Sequence, residues 1–177
     1  MTTPRAQKTR LLSSLAMLVL AVGGVWFYSV RKTNELFDIG VNAHVQCTIA
    51  SDLKSGSTNG RLARDLAAAA KGDSVVADRQ CTAAGRDFEL VVLQQNGTLV
   101  SVALTQRGEQ EVFPRALAGR VVDVAGIAVH EGTRQGYAEA AFETGSWLAY
   151  VVSALPDREN NDLAERLAPT IQRHAGA

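Results

Sequence analysis

Three side chains that bind metals stand at a useful spacing: His44-x-x-Cys47, with Cys81 further on. On a helix, positions i and i+3 share a face, so the imidazole of His44 and the thiol of Cys47 point the same way. Thiolate with imidazole is a donor set for zinc or copper. Three donors leave a closed structural zinc site one ligand short, and His130 is the candidate fourth. The two cysteines can instead oxidise to a disulfide, the favoured outcome for an even pair in an oxidising compartment. Closing a loop of about 35 residues removes roughly 4 kcal/mol of unfolded-chain entropy in the simple model.

Catalytic constellations are scarcer. The chain has no Gly-x-Ser-x-Gly elbow, no phosphate-binding Gly-rich loop and no His-Glu-x-x-His. His130-Glu131 offers a base beside an acid, yet reads as a solvated loop pair near a strand end. Ser101 and Ser153 lie within apolar stretches, where a nucleophile needs a base that the sequence does not identify. Gly136, Tyr137, Trp147 and Tyr150 read as sheet packing, since aromatics favour cross-strand positions. The expectation is a protein that is not an enzyme and needs no cofactor. Lys+Arg and Asp+Glu number 18 each. No basic stripe appears, so a nucleic-acid partner has no electrostatic support.

What must hold these residues is set first by the run Leu11 to Val30, which carries no charge. At 1.5 Å of rise per residue, about 20 helical residues span about 30 Å, the hydrocarbon thickness of a bilayer. Arg5, Lys8 and Arg10 precede the run and Arg31 and Lys32 follow it. Trp26, Phe27 and Tyr28 stand where an aromatic belt belongs. A cleaved signal peptide, with Ala21-Val22-Gly23 as the cleavage site, is the competing reading, and a buried core helix is a third. The apolar run continues past that site and exceeds a signal core, which favours an uncleaved signal anchor. The positive-inside rule then puts residues 1–10 in the cytoplasm as a short tail, 11–30 in the membrane, and the rest outside. The membrane, and with it a membrane or envelope protein, is the expected partner.

The remaining residues, about 145, suit one domain with one core. Residues 31–72 read as a helical stalk and linker, and 73–177 as an exported α+β domain. Asn34 is a candidate cap, and Phe37, Val41, Val45 and Ile49 recur every four residues as a helical stripe. Residues 52–60 read as a flexible loop, and Arg61 to Lys71 as an alanine-rich helix stopped by Gly72. Ser74 to Ala83 is a strand, with a turn at Gly85-Arg86. Phe88 to Leu93 and Leu99 to Leu104 flank Asn96-Gly97, a strong hairpin signal. Asn96-Gly97-Thr98 also matches a glycosylation acceptor, but the turn reading comes first. A polar connection runs from Gly108 to Gly119 through Pro114. Further strands are expected at Arg120 to Val129, Tyr137 to Phe142 and Trp147 to Ala154, with a turn at Thr144-Gly145-Ser146. Pro156 opens a final helix with the stripe Leu163, Leu167, Ile171, and Pro169 is expected to break or kink it near Ala168. The fold class is α+β: an N-terminal transmembrane helix, then an antiparallel meander sheet of five or six strands with flanking helices covering one face.

The run Phe142 to Pro156, with Asn160-x-x-Leu163-Ala164-x-x-Leu167-Ala168-Pro169, carries a resemblance. So do Arg79-Gln80-Cys81-Thr82, Gly85-Arg86-x-Phe88 and Leu99-Val100-Ser101-Val102. Together they resemble the exported domains of bacterial membrane-anchored, anti-sigma-factor-like proteins, over roughly residues 37–174. His44-x-x-Cys47 and Cys81 match that pattern, whereas Ala154 stands where members often carry Asp. The resemblance implies a sensing, interaction or envelope-accessory domain. The ten or so residues before the anchor are too few to fold or to grip a sigma factor, so the sigma-binding part is expected to be missing. The alternative function is a metal-binding or thiol-redox accessory protein using His44, Cys47 and Cys81.

Overall fold

The computed structural model describes residues 35–50, 60–113 and 119–176. The expected cytoplasmic tail, the transmembrane anchor, the Asn34 cap, residues 52–59 of the expected loop and Pro114 lie outside the described residues. Among the described residues no helix is long and apolar enough to cross a membrane.

Helix α1 occupies residues 35–44 and runs on into a π-helical turn, Val45–Ile49. Its buried side is Leu36, Phe37, Val41, His44, Cys47 and Thr48, whereas Ile49 is 53% exposed. The strict four-residue stripe of the sequence fails at its end for a geometric reason. Each step of four turns a helix by about 400°, so three steps drift roughly 120° off the first position. Helix α2 (Arg61–Ala69) buries Leu62, Ala63 and Leu66.

Among the described residues seven strands follow, more than the expected five or six: β1 (Ser74–Ala83), β2 (Arg86–Gln95), β3 (Thr98–Gln106), β4 (Arg120–Val124), β5 (Ile127–Arg134), β6 (Tyr137–Thr144) and β7 (Trp147–Ser153). They form one antiparallel sheet in the order β1-β2-β3-β7-β6-β5-β4. Two meanders are therefore joined by the β3–β7 ladder, and the connection after β3 travels to the far edge. The extra strand comes from Arg120 to Val129, which folds back on itself at Ala125-Gly126 (φ 54° and 85°). Asn96-Gly97 forms its expected turn with φ 50° and 80°, the two left-handed positions of a type I′ hairpin. The first hairpin turns at Ala84-Gly85 (φ 51° and 73°), one residue before the expected pair, and Gly136 (φ 84°) is a turn residue rather than packing.

Helix α3 (Asp157–Ala175) starts behind its N-cap Pro156 and passes through Pro169 without ending. Asp157 and Glu159 in its first turn and Arg173 and His174 in its last complement the helix dipole. An interior proline costs about 3 kcal/mol. Leu163, Leu167 and Ile171 are fully buried on both sides of it, each worth roughly 1.5–3 kcal/mol, so packing outweighs the expected break.

The helices cover both faces of the sheet, not one. Strand alternation sends Val91, Val102, Phe142, Ala149 and Val151 against α2 and α3. It sends Phe88, Leu90, Val92, Leu148 and Tyr150 against α1. The described part of the connection after β3, up to Phe113, lies on the α1 side, where Phe113 packs at 5.1 Å on Phe37 and 6.1 Å on Tyr150, measured between ring centroids. Glu143 holds it there, accepting from the Phe113 amide at 2.6 Å and from Arg107 at 2.9 Å.

Candidate functional site

Cys47 lies in the π-helical turn of α1 and Cys81 on the edge strand β1. They are joined as a disulfide, with Cα atoms 6.1 Å apart and a sequence separation of 34. The turn brings Cys47 inward, where it is fully buried, while Cys81 is half-buried. Arg79, two residues before Cys81, donates to the Cys47 carbonyl. The bond thus fastens the end of α1 to the outermost strand.

His44 reaches the sheet at β3. Its Nδ1 lies 2.7 Å from Ser101 Oγ, and Thr48 Oγ1 lies 2.6 Å from the same hydroxyl. Its ring meets Tyr137 edge-on at 4.8 Å. Burial lowers its pKa from 6.5 to about 4, so at neutral pH the ring is uncharged. Ser101 thereby gains the neighbouring base that the sequence left unidentified. His44 is buried at the end of α1 against the sheet, however, and Ser101 has no exposed surface. A nucleophile must reach its substrate, and this hydroxyl instead closes a buried hydrogen-bonded chain of His44, Ser101 and Thr48.

His130 is elsewhere again, on β5, with its ring 5.3 Å from Phe113 and 6.5 Å from Phe37. The fourth donor of the metal reading is therefore held among aromatics. Among the described residues no group of three or more His, Cys, Asp or Glu is arranged to hold a metal ion. The pair His130-Glu131 is not a solvated loop pair: both residues are buried in β5. Adjacent strand residues face opposite ways, so His130 faces the α1 side and Glu131 the α3 side. Glu131 accepts from Asn161 at 3.0 Å and pairs with Arg120 at 3.4 Å. Its pKa is raised, first by burial and further by Glu165 and Asp162, against the pull of Arg120. Ser153 is also structural, donating to Asn160 at 2.8 Å.

A cleft of about 440 Å³ opens beside His130, lined also by Phe113, Ile127 and Gln172. Its acid, Glu143, already serves Arg107 and the Phe113 amide.

Sequence reasoning passed over Glu139, on the α1 face of β6. It is fully buried, and neither of its carboxyl oxygens has a hydrogen-bond partner among the described residues. The signal was present, a lone acid inside Tyr137-Ala138-Glu139-Ala140-Ala141-Phe142. Beside it Tyr150 donates from its hydroxyl to the Leu36 carbonyl at 3.0 Å.

The described part of the molecule is thus a seven-stranded antiparallel α+β domain with helices on both faces and its helix α1 pinned by a disulfide. Comparison with protein-family models, with curated proteins and with solved structures finds no match for this chain.

Proposed function

We propose that this chain is a single-pass protein of the bacterial inner membrane whose folded domain is exported. The domain serves a sensing, interaction or envelope-accessory role without catalysis. It is similar in kind to the exported domains of anti-sigma-factor-like proteins. The Cys47–Cys81 bond carries the reading, because disulfides persist in oxidising compartments and are rare in the cytosol. Its position adds a mechanical argument. Helix α1 follows directly on the apolar run and its basic flank, so a pull on the anchor arrives at α1. The bond passes that load to β1 and spares the α1 packing alone from bearing it. The residues that have acid–base chemistry to offer, His44 with Ser101 and Glu139, are buried, which suits a binding or sensing module better than an enzyme.

The test combines protease access with thiol alkylation in intact cells and spheroplasts. The domain is expected to be degraded only when the outside of the inner membrane is exposed, and to resist alkylation until reduced. A domain protected inside spheroplasts, or two cysteines labelled without reductant, overturns the proposal. Free thiols would turn attention to thiol-redox chemistry at Cys47 and Cys81.

A further inference from the structure

Glu139 is the third residue of β6, with the sheet behind it and α1 in front. Gly132 and Val152 flank it on the neighbouring strands. In front lies the α1 backbone at Gly40. A Cβ built there would overlap Glu139 Oε1 and stand 2.8 Å from Tyr150 Cγ. Glycine therefore lets the helix lie close enough to shut the carboxyl away from water. An ionised carboxylate in that position has lost its solvent and gained no donor among the described residues, a costly combination. A protonated carboxyl, which carries no charge, costs less there.

We propose that Glu139 is a proton-operated latch on α1: protonated, it lets residues 35–44 lie on the sheet, and ionised, it drives them off while the Cys47–Cys81 bond keeps the far end attached. Helix α1 is the part that moves because the other walls around Glu139 are strands in the middle of a continuous sheet. The inference rests on packing and on the disulfide, and does not depend on the membrane reading.

The other ionisable groups on this seam come from each element around it. Asp38 and His44 come from α1, His130 and Arg134 from β5, and Tyr150 from β7. Tyr137 and Glu143 share β6 with the latch, and β3 contributes Ser101 and Ala103, which do not titrate. Burial pushes the Glu139 pKa well up from 4.5, with Arg134 pulling it down and Asp38 adding to the rise. A raised carboxyl keeps its proton in the closed state and releases it in the open one. Closure is therefore favoured at low pH and lost as pH rises from about 4.5 through the raised value, by up to tenfold in the opening constant per pH unit. His44 works the other way, but only below its ordinary pKa of 6.5. Above that pH His44 no longer opposes the latch. Burial pushes the Tyr150 hydroxyl well above 10, out of the same window.

The experiment is hydrogen exchange of the full chain, disulfide intact, between pH 6.5 and 9. Amides 36–44 are corrected for intrinsic rates and compared with α3. Their protection relative to α3 is expected to fall with rising pH in the unmodified protein and to stay level in Glu139→Gln, which keeps every other group on the seam. A level profile in the unmodified protein, or the same fall in both proteins, overturns the latch. If Glu139→Gln does not fold, the carboxyl ¹³C resonance of Glu139 in the unmodified chain decides. A proton retained above pH 6.5 supports the latch, and ionisation near 4.5 ends it.

Discussion

Acidification from pH 7 to 5 should loosen this domain through His44. The ring is 1% exposed, and burial moves its pKa from 6.5 to about 4. The unfolded chain therefore binds a proton that the folded one refuses, and stability is lost as pH falls from about 6.5 toward 4. Integrating the difference in bound protons between pH 7 and pH 5 gives about 2 kcal/mol from this one group. That is a noticeable part of a domain's net stability. Other groups titrate in the same interval, so the measurement must be a difference. His44→Asn retains a polar atom near the Nδ1 position that meets Ser101 and cannot take up a proton. Urea unfolding of both proteins at pH 7 and pH 5, followed by far-UV circular dichroism, gives the comparison. The unmodified chain should lose about 2 kcal/mol more than the variant. Equal losses would refute the argument and show that the His44 ring can charge in place or already meets water.

Two other substitutions test the packing. Gly40→Ala puts a Cβ where Glu139 Oε1 and the Tyr150 ring already stand, and should cost about 1–3 kcal/mol as overpacking; a Tm unchanged from the parent would mean that α1 does not lie this close. Gly97→Val places a β-branched residue at φ 80° and should cost at least about 1 kcal/mol in denaturant unfolding; an unaltered midpoint would remove Asn96-Gly97 as the turn.

Much of the strand pattern was legible locally. Asn96-Gly97 announces a turn because both residues adopt positive φ readily, and the apolar runs beside it became β2 and β3. The stripe Leu163, Leu167, Ile171 found the buried face of α3, because that signal is the helix period alone. Ala125-Gly126 and Gln135-Gly136 use the same backbone geometry as Asn96-Gly97, but Ala and Gln have no such preference, so only the glycine hinted at them. One long stretch then read as a single strand. The disulfide was a weighed choice in the sequence, since spacing along the chain says nothing of distance across the fold. A sheet edge brought within reach of the π-helical turn decided it.

The sequence by itself determined where chains of alternating and helical periodicity lie, because those patterns need only neighbours a few residues away. It determined the charge-free run and the pairing capacity of two cysteines for the same reason. Tertiary structure alone decided that α1 and α3 cover opposite faces, since strand order depends on contacts between distant segments. It alone set His44 beside Ser101 and shut Glu139 under Gly40, residues separated by 57 positions in the first case and by most of the sheet in the second. A side chain's ionisation follows from what covers it, and in this domain the cover is a helix from the other end of the described chain.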